Sequence, residues 1–234
     1  MPDYCGRPLP SRSRYKTETY PRCNNRPDHQ GPCSEFPYLS ALRIADPKVA
    51  KKVERDAMMT TGASWKSSDA GPNRIVRYAM LLSDEELAAL GVNMADLEPI
   101  VVAKLREKAA SYDDCIGVSL ELTRQVYSMP DAPNAPPDTL QLITELSGNS
   151  VEPATTVCLV CRRPLSFNLF ALARRGKAEI ETAHALPRLH SATNVGFAHR
   201  DCNIAQGSRS LPEFHLWIAE ILASNGWETI PPKD

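Results

Sequence analysis

Apolar residues recur at helical spacing through the middle of the chain and alternate with polar ones only towards its end. Ser83 followed three residues later by Glu86 reads as a capping box, so "LSDEELAALG" predicts a helix stopped by Gly91. From Asn93, "NMADLEPIVVAKLREKAASY" opens acidic, spaces Leu97, Ile100, Val101 and Leu105 helically and turns basic, which predicts a second helix. "DDCIGVSLELTRQVYS" predicts a third and "TLQLITELSG" a shorter one. The four prolines of "MPDAPNAPPD" cannot continue a helix and mark a linker at residues 129–138. Beyond it, "KAEIETAH" alternates and predicts a strand ending at His184. A loop, "ALPRLHSAT", leads to Asn194 and a second short strand, "VGFAH". "RDCNIAQG" then opens a helix with Asp201 in its first turn. Residues 1–38 are rich in Pro, Arg, Tyr and Cys and show no periodicity. They predict an irregular segment held by something other than a core.

A chain of 234 residues with 42% apolar content can bury one or two cores. It has no run of 18 apolar residues and no apolar segment at the N-terminus, which predicts a cytoplasmic protein with no membrane span. In a reducing compartment the seven cysteines, an odd number, read as thiols and metal ligands rather than disulfides. The net charge of −1 hides an uneven distribution: residues 1–80 carry 14 Lys/Arg against 8 Asp/Glu, residues 81–153 carry 4 against 13, and residues 154–234 carry 9 against 7. Local field rather than net charge decides whether a phosphate backbone is attracted, so the basic front suits either nucleic acid or plain solvation.

Two cysteine-bearing constellations stand out. Cys158 and Cys161 form one two-residue-gap pair, and His199 and Cys202 form another, 37 residues on. Thiolates and imidazoles are preferred zinc donors, and two such pairs predict a closed structural Cys3His site. A lone redox Cys-x-x-Cys fits less well, because no strand–helix redox pattern surrounds it. Near the N-terminus, Cys5, Cys23, His29 and Cys33 predict a second zinc site, against the alternative of scattered free thiols. Arg7, Arg12, Arg14, Lys16, Arg22 and Arg26, interleaved with Tyr15 and Tyr20, would make that segment a DNA-contacting element. The plainer alternative is a solvated zinc knob.

With Cys158, Cys161, His184, Pro187, Asn194, His199, Cys202 and Asn203 in this order, residues 155–210 resemble the HNH endonucleases, the ββα-metal nucleases with a zinc clasp. The resemblance implies that His184 is the general base, that Asn194 braces the loop and orients the histidine, and that Asn203 binds a catalytic Mg2+ or Mn2+. Two positions depart from the pattern. Ala183 stands where the family has Asp or His as a second ligand of the catalytic ion, and Glu181, on the same strand face, is the candidate replacement. His199 stands where a Cys is usual. His190 and His215 read as structural or phosphate-contacting, and Arg188 as a DNA contact.

The expected fold is α+β, in four parts: an irregular N-terminal zinc-binding module (1–38), a helical recognition and dimerisation region (39–128), the linker (129–138), and a zinc-stabilised ββα-metal nuclease domain (139–234). The expected activity is metal-dependent hydrolysis of double-stranded DNA by a type II-like restriction enzyme, cutting a specific or modified site as a homodimer. The alternative, kept open by Ala183, is a zinc-containing nucleic-acid-binding protein whose nuclease domain is inactive.

Overall fold

The computed structural model describes residues 4–10, 20–60, 75–174 and 177–228. Arg12, Arg14, Tyr15 and Lys16 lie outside them.

Helices dominate the first two-thirds. A short α1 (Ser40–Ala45) leads into α2 (Pro47–Met58), which Asp46 starts by accepting hydrogen bonds from the amides of Lys48 and Val49, with Pro47 in the first turn. Ser83 and Glu86 form the expected capping box on α3 (Asp84–Ala89), and Gly91 follows with φ +77°. The helix expected from Asn93 does not form as one piece. A 3-10 turn at Met94–Asp96 is followed by α4 (Pro99–Glu107). Pro99 has no amide to donate and forces Glu98 into an extended conformation (ψ 140°), so the helix can begin there but cannot pass through.

The spine of the fold is α5 (Tyr112–Tyr127), capped by Ser111 and carrying the buried stripe Cys115, Ile116, Val118, Ser119, Leu122 and Val126. It packs against α2, against α6 (Pro137–Ser147) and against the sheet described next. α6 starts inside the proline-rich stretch, with Pro137 at its first position.

The strand expected over 177–184 is broken at Glu179. Ala173–Arg174 (β1) pairs with Lys177–Ala178 (β2), whereas Ile180–His184 (β3) pairs antiparallel with Val195–His199 (β4). Glu179 is where the partner changes: its amide bonds Leu172 and its carbonyl accepts from Arg200. The register of β3 and β4 runs from Ile180 opposite His199 to His184 opposite Val195. The outer edge of β4 is not left open. The Leu159 amide donates to the Phe197 carbonyl at 2.9 Å. Gln125, reaching from α5, accepts from the Phe197 amide at 3.1 Å and donates to the Val195 carbonyl at 3.4 Å. α7 (Arg200–Gln206) starts directly off β4, and α8 (Leu211–Ser224) follows behind a second capping box made by Ser210 and Glu213.

Buried residues from Phe36 to Phe214 form one apolar cluster that spans the segment 36–38, the helical middle and the sheet. A smaller cluster gathers Ile75, Ala79, Met80, Leu87, Val92, Met94 and Leu105. Among the described residues no helix is long and apolar enough to cross a membrane.

Candidate active site

The strand–loop–strand–helix run over 180–206 is fixed at one end by sulfur and nitrogen donors. In the turn after Val157 the Cys158 amide bonds the Arg163 carbonyl, the Arg162 amide bonds back to Cys158, and the Cys161 amide points at the Cys158 sulfur (3.5 Å). Arg162 takes a positive φ of 62° to close this knuckle. β4 ends at His199, whose Nδ1 lies 3.5 Å from Cys161 Sγ, and the first turn of α7 supplies Cys202. The four donor atoms of Cys158, Cys161, His199 and Cys202 lie within 4.8 Å of one another. A tetrahedral zinc with bonds near 2.3 Å separates its sulfurs by about 3.8 Å, so the cage is of the right size and chemistry. The donor set brings the Cys158–Cys161 knuckle onto the junction of β4 and α7. His215 lies against its rim, with Nε2 3.3 Å from the Val160 carbonyl.

The N-terminal quartet also converges. Cys5, Cys23, His29 and Cys33 bring their donor atoms within 4.8 Å, with His29 Nε2 3.5 Å from Cys23 Sγ and 3.7 Å from Cys33 Sγ. Paired backbone bonds (Cys5 to Asn25, Gly6 to Cys23, Cys23 to Arg7) hold the loops around it. The basic residues of this segment divide into two groups. Arg7 is exposed. Arg22 packs beside the rings of Tyr4, Tyr20 and Tyr112, with its guanidinium 5.3–5.8 Å from each centroid, and pairs with Asp113. Arg26 pairs with Glu145. Part of the positive charge of the front therefore meets the negative charge of the middle inside one molecule.

At the other end of the β3–β4 pair, His184, Pro187, Arg188, Asn203, Gln206, Gly207 and Ser208 line a cleft of about 370 Å³, closed on its far side by Glu107 and Lys108 from the end of α4. His184 and Asn203, distant in sequence, thus share one opening. Asn203 donates through Nδ2 to Glu181 Oε2 at 2.9 Å, which leaves its amide oxygen for another partner. Glu181 in turn lies 3.3 Å from the Arg200 guanidinium. Ala183 is buried in the core, so Glu181 is the carboxylate on that strand face. Glu181 and Asn203 both carry hard oxygen donors of the kind that holds a divalent cation, the Asn203 group that faces Glu181 here being its Nδ2–H.

Asn194 is 5% exposed and closes the loop between the strands. Its Oδ1 accepts from the Leu186 amide at 2.8 Å, and its Nδ2 donates to the carbonyls of Leu186 (2.9 Å) and Leu189. Arg188 is well exposed at the cleft mouth and pairs with Glu107 at 2.6 Å. Burial pushes the His184 imidazole down to about 4, and the neighbouring cations Arg77 and Lys108 act in the same direction against the opposing pull of Asp56. The ring is therefore neutral at physiological pH and has a lone pair available.

Two further residues, Gln206 and Lys108, and one partner, that of His190, have no determinant in the local sequence. Gln206, buried on α7, donates to the His184 carbonyl at 2.9 Å and holds the strand end from behind. Lys108 belongs to the acidic middle and gave no local signal. His190 sits 3.0 Å from His184 Nε2, a partnership that the loop sequence could not specify.

A sequence profile of the family described as DraIII matches residues 35–202. No curated protein matches the chain. Among solved structures, one described as the crystal structure of a type II restriction endonuclease matches with a TM-score of 0.82 and 37% sequence identity, over 96% of this chain and 99% of that one.

Proposed function

The chain belongs to the DraIII family, a restriction endonuclease family, and from that premise we propose that it is a type II-like, metal-dependent DNA endonuclease whose hydrolytic centre has the HNH arrangement. The observation that carries this reading is the convergence of His184 and Asn203 on one cleft with basic residues at its mouth. Hydrolysis of a phosphodiester needs a base for the attacking water and neutralisation of charge on the phosphorane. Neutral His184 takes the proton as the water oxygen bonds phosphorus, and the O–P bond to the leaving oxygen breaks, that oxygen being protonated from solvent. Asn203 Oδ1 and Glu181 would hold the divalent ion, which supplies Lewis-acid stabilisation of the developing charge. Asn194 keeps the loop of Pro187 and Arg188 in place, while Lys108 and Arg188 face the phosphate backbone, with Arg7 on the N-terminal module as a further contact. The two Cys/His cages hold zinc. Cutting both strands calls for two such centres, so the working form is a homodimer.

The test is cleavage of genomic DNA of mixed modification state with Mg2+ or Mn2+, sequencing of the fragment ends, and the same assay on His184→Ala. Cleavage by the wild type and a loss of roughly 10²–10⁴-fold in the variant are expected. Salt-sensitive DNA binding without any cleavage would instead favour the reading kept open by Ala183, a binding protein with an inactive nuclease domain.

A further inference from the structure

The loop that Asn194 closes carries a second buried histidine, and its hydrogen bonds fix the protonation pattern of the first. His190 is 5% exposed. Its Nε2 lies 2.8 Å from the carbonyl of Ala57, and its Nδ1 lies 3.0 Å from His184 Nε2. Ala57 is in the last turn of α2, where carbonyls lack intrahelical partners and the helix end carries partial negative charge. A carbonyl oxygen can only accept, so the His190 proton is on Nε2. A neutral imidazole then has an acceptor at Nδ1, and among the described residues the donor placed to satisfy it is His184 Nε2–H. His184 is left with its lone pair on Nδ1. Burial and the Arg77 charge hold the His190 ring neutral, which this pattern requires. The rings meet edge to edge at a 44° tilt and 5.2 Å between centroids, the geometry of a hydrogen bond rather than a stack.

We propose that His190 is a positioning residue which, braced on the Ala57 carbonyl, selects the Nε2–H tautomer of His184 and presents Nδ1 as the basic atom. The proposal rests on the reading of His184 as general base. A neutral imidazole in this place does what a carboxylate does in a catalytic triad, orienting the ring and fixing its tautomer, but adds no full negative charge behind the base. When Nδ1 takes up the water proton, the charge of the imidazolium spreads along Nε2–H towards His190 and the C-terminal end of α2. Thr182 and Asp56 (3.0 Å) tie the same strand to the same helix end, so the relay has a rigid mount.

Two measurements on the zinc-loaded full chain test this. The first is the tautomer of His184 in the uncleaved, DNA-free wild type, read from long-range 15N–1H correlations and assigned with His184→Gln. The Nε2–H form is expected, and the Nδ1–H form would overturn the proposal outright. The second is the single-turnover cleavage rate at a site found by end sequencing, with DNA affinity measured separately in Ca2+. His190→Ala should lose roughly 10²-fold in rate with affinity unchanged, and His190→Asn, whose amide oxygen can replace Nδ1 as acceptor, should recover to within about tenfold of wild type. A merely structural His190 would leave the tautomer of His184 unchanged in both variants, and that result would refute the proposal. If His184→Ala is inert while His190→Ala and His190→Asn cut at the wild-type rate, His184 remains the base and only the positioning role falls. If His184→Ala cuts normally, the base assignment itself falls and takes the proposal with it. Should His190→Ala not fold, the wild-type tautomer and the His190→Asn rate still decide.

Discussion

Asn194 offers the sharpest test of how the cleft is built. Its side chain bonds three backbone groups at 5% exposure, the Leu186 amide and the carbonyls of Leu186 and Leu189, of which the Leu186 carbonyl also accepts from the Leu189 amide at 3.0 Å. Asn194→Ala removes all three bonds. Leaving a buried polar group unpaired costs about 1–3 kcal/mol, and part of that is recovered if the loop carbonyls swing out to water, so a net loss of about 3 kcal/mol is expected. Asn194→Asp is more discriminating because it is almost isosteric. It keeps the acceptor for the Leu186 amide but turns an oxygen towards two carbonyl oxygens, so the expected loss is about 2–4 kcal/mol. For a chain of this size about 3 kcal/mol corresponds to a fall in Tm of roughly 6–12 °C. Thermal unfolding of the zinc-loaded protein measures it, with Thr193→Ala, exposed on the same loop, as a control expected within about 0.5 kcal/mol of wild type. Cleavage measured well below either Tm should fall as well, because the displaced loop carries His190 away from His184. If Asn194→Asp unfolds within about 1 °C of wild type, the amide is not bracing the loop and the account of the site built on it is wrong.

The remaining predictions concern protons and metal. Both buried histidines have native values below the usual one, His184 at about 4 and His190 at about 3. The unfolded chain therefore binds more protons than the native one from about pH 6.5 downwards, and stability should fall with pH through the window between about 6.5 and 4 by up to about 1.4 kcal/mol per pH unit for each ring. Denaturant unfolding at saturating zinc checks this, and a flat profile between pH 6.5 and 5 would show that the rings are already charged or solvated in the native state. Elemental analysis should find two zinc ions per chain, and Cys158→Ser should remove one of them. Loss of that ion detaches the knuckle whose Leu159 amide caps β4, so the variant should lose cleavage and melt earlier while its N-terminal quartet stays loaded.

Much of the framework is written locally. The Ser83–Glu86 box, the apolar spacing of "DDCIGVSLELTRQVYS" and the two cysteine quartets are readable because their determinants lie within a few residues or repeat a ligand spacing, whereas the Ser111 cap of α5 falls inside a segment expected to be helical. What escaped prediction depends on distant partners. Pro99 was visible, but the acidic start and basic end of its segment outweighed it in a periodic reading. The break at Glu179 follows from a change of strand partner, which no local pattern records. Arg22 reads as a DNA contact until Tyr112 and Asp113, some 90 residues on, are seen to enclose it. Within the candidate site, His184, Asn194 and Asn203 could be named from order alone, whereas Gln206, Lys108 and His190 act through contacts formed only when α2, α4 and α7 meet.

The bonds from Thr182 to Asp56 and from His190 to Ala57 join residues 126 and 133 positions apart. During synthesis the acceptors on α2 emerge well before Thr182 and His190, which bind them. Contacts of such separation close late, because the intervening chain must first surrender its freedom. A chain cut short before β3 would then hold the Ala57 acceptor without its histidine, and a fragment beginning after α2 would keep the quartet of Cys158, Cys161, His199 and Cys202 but not the anchor for His190. The pairing of the two histidines thereby depends on α2 and the loop after β3 being present in one chain.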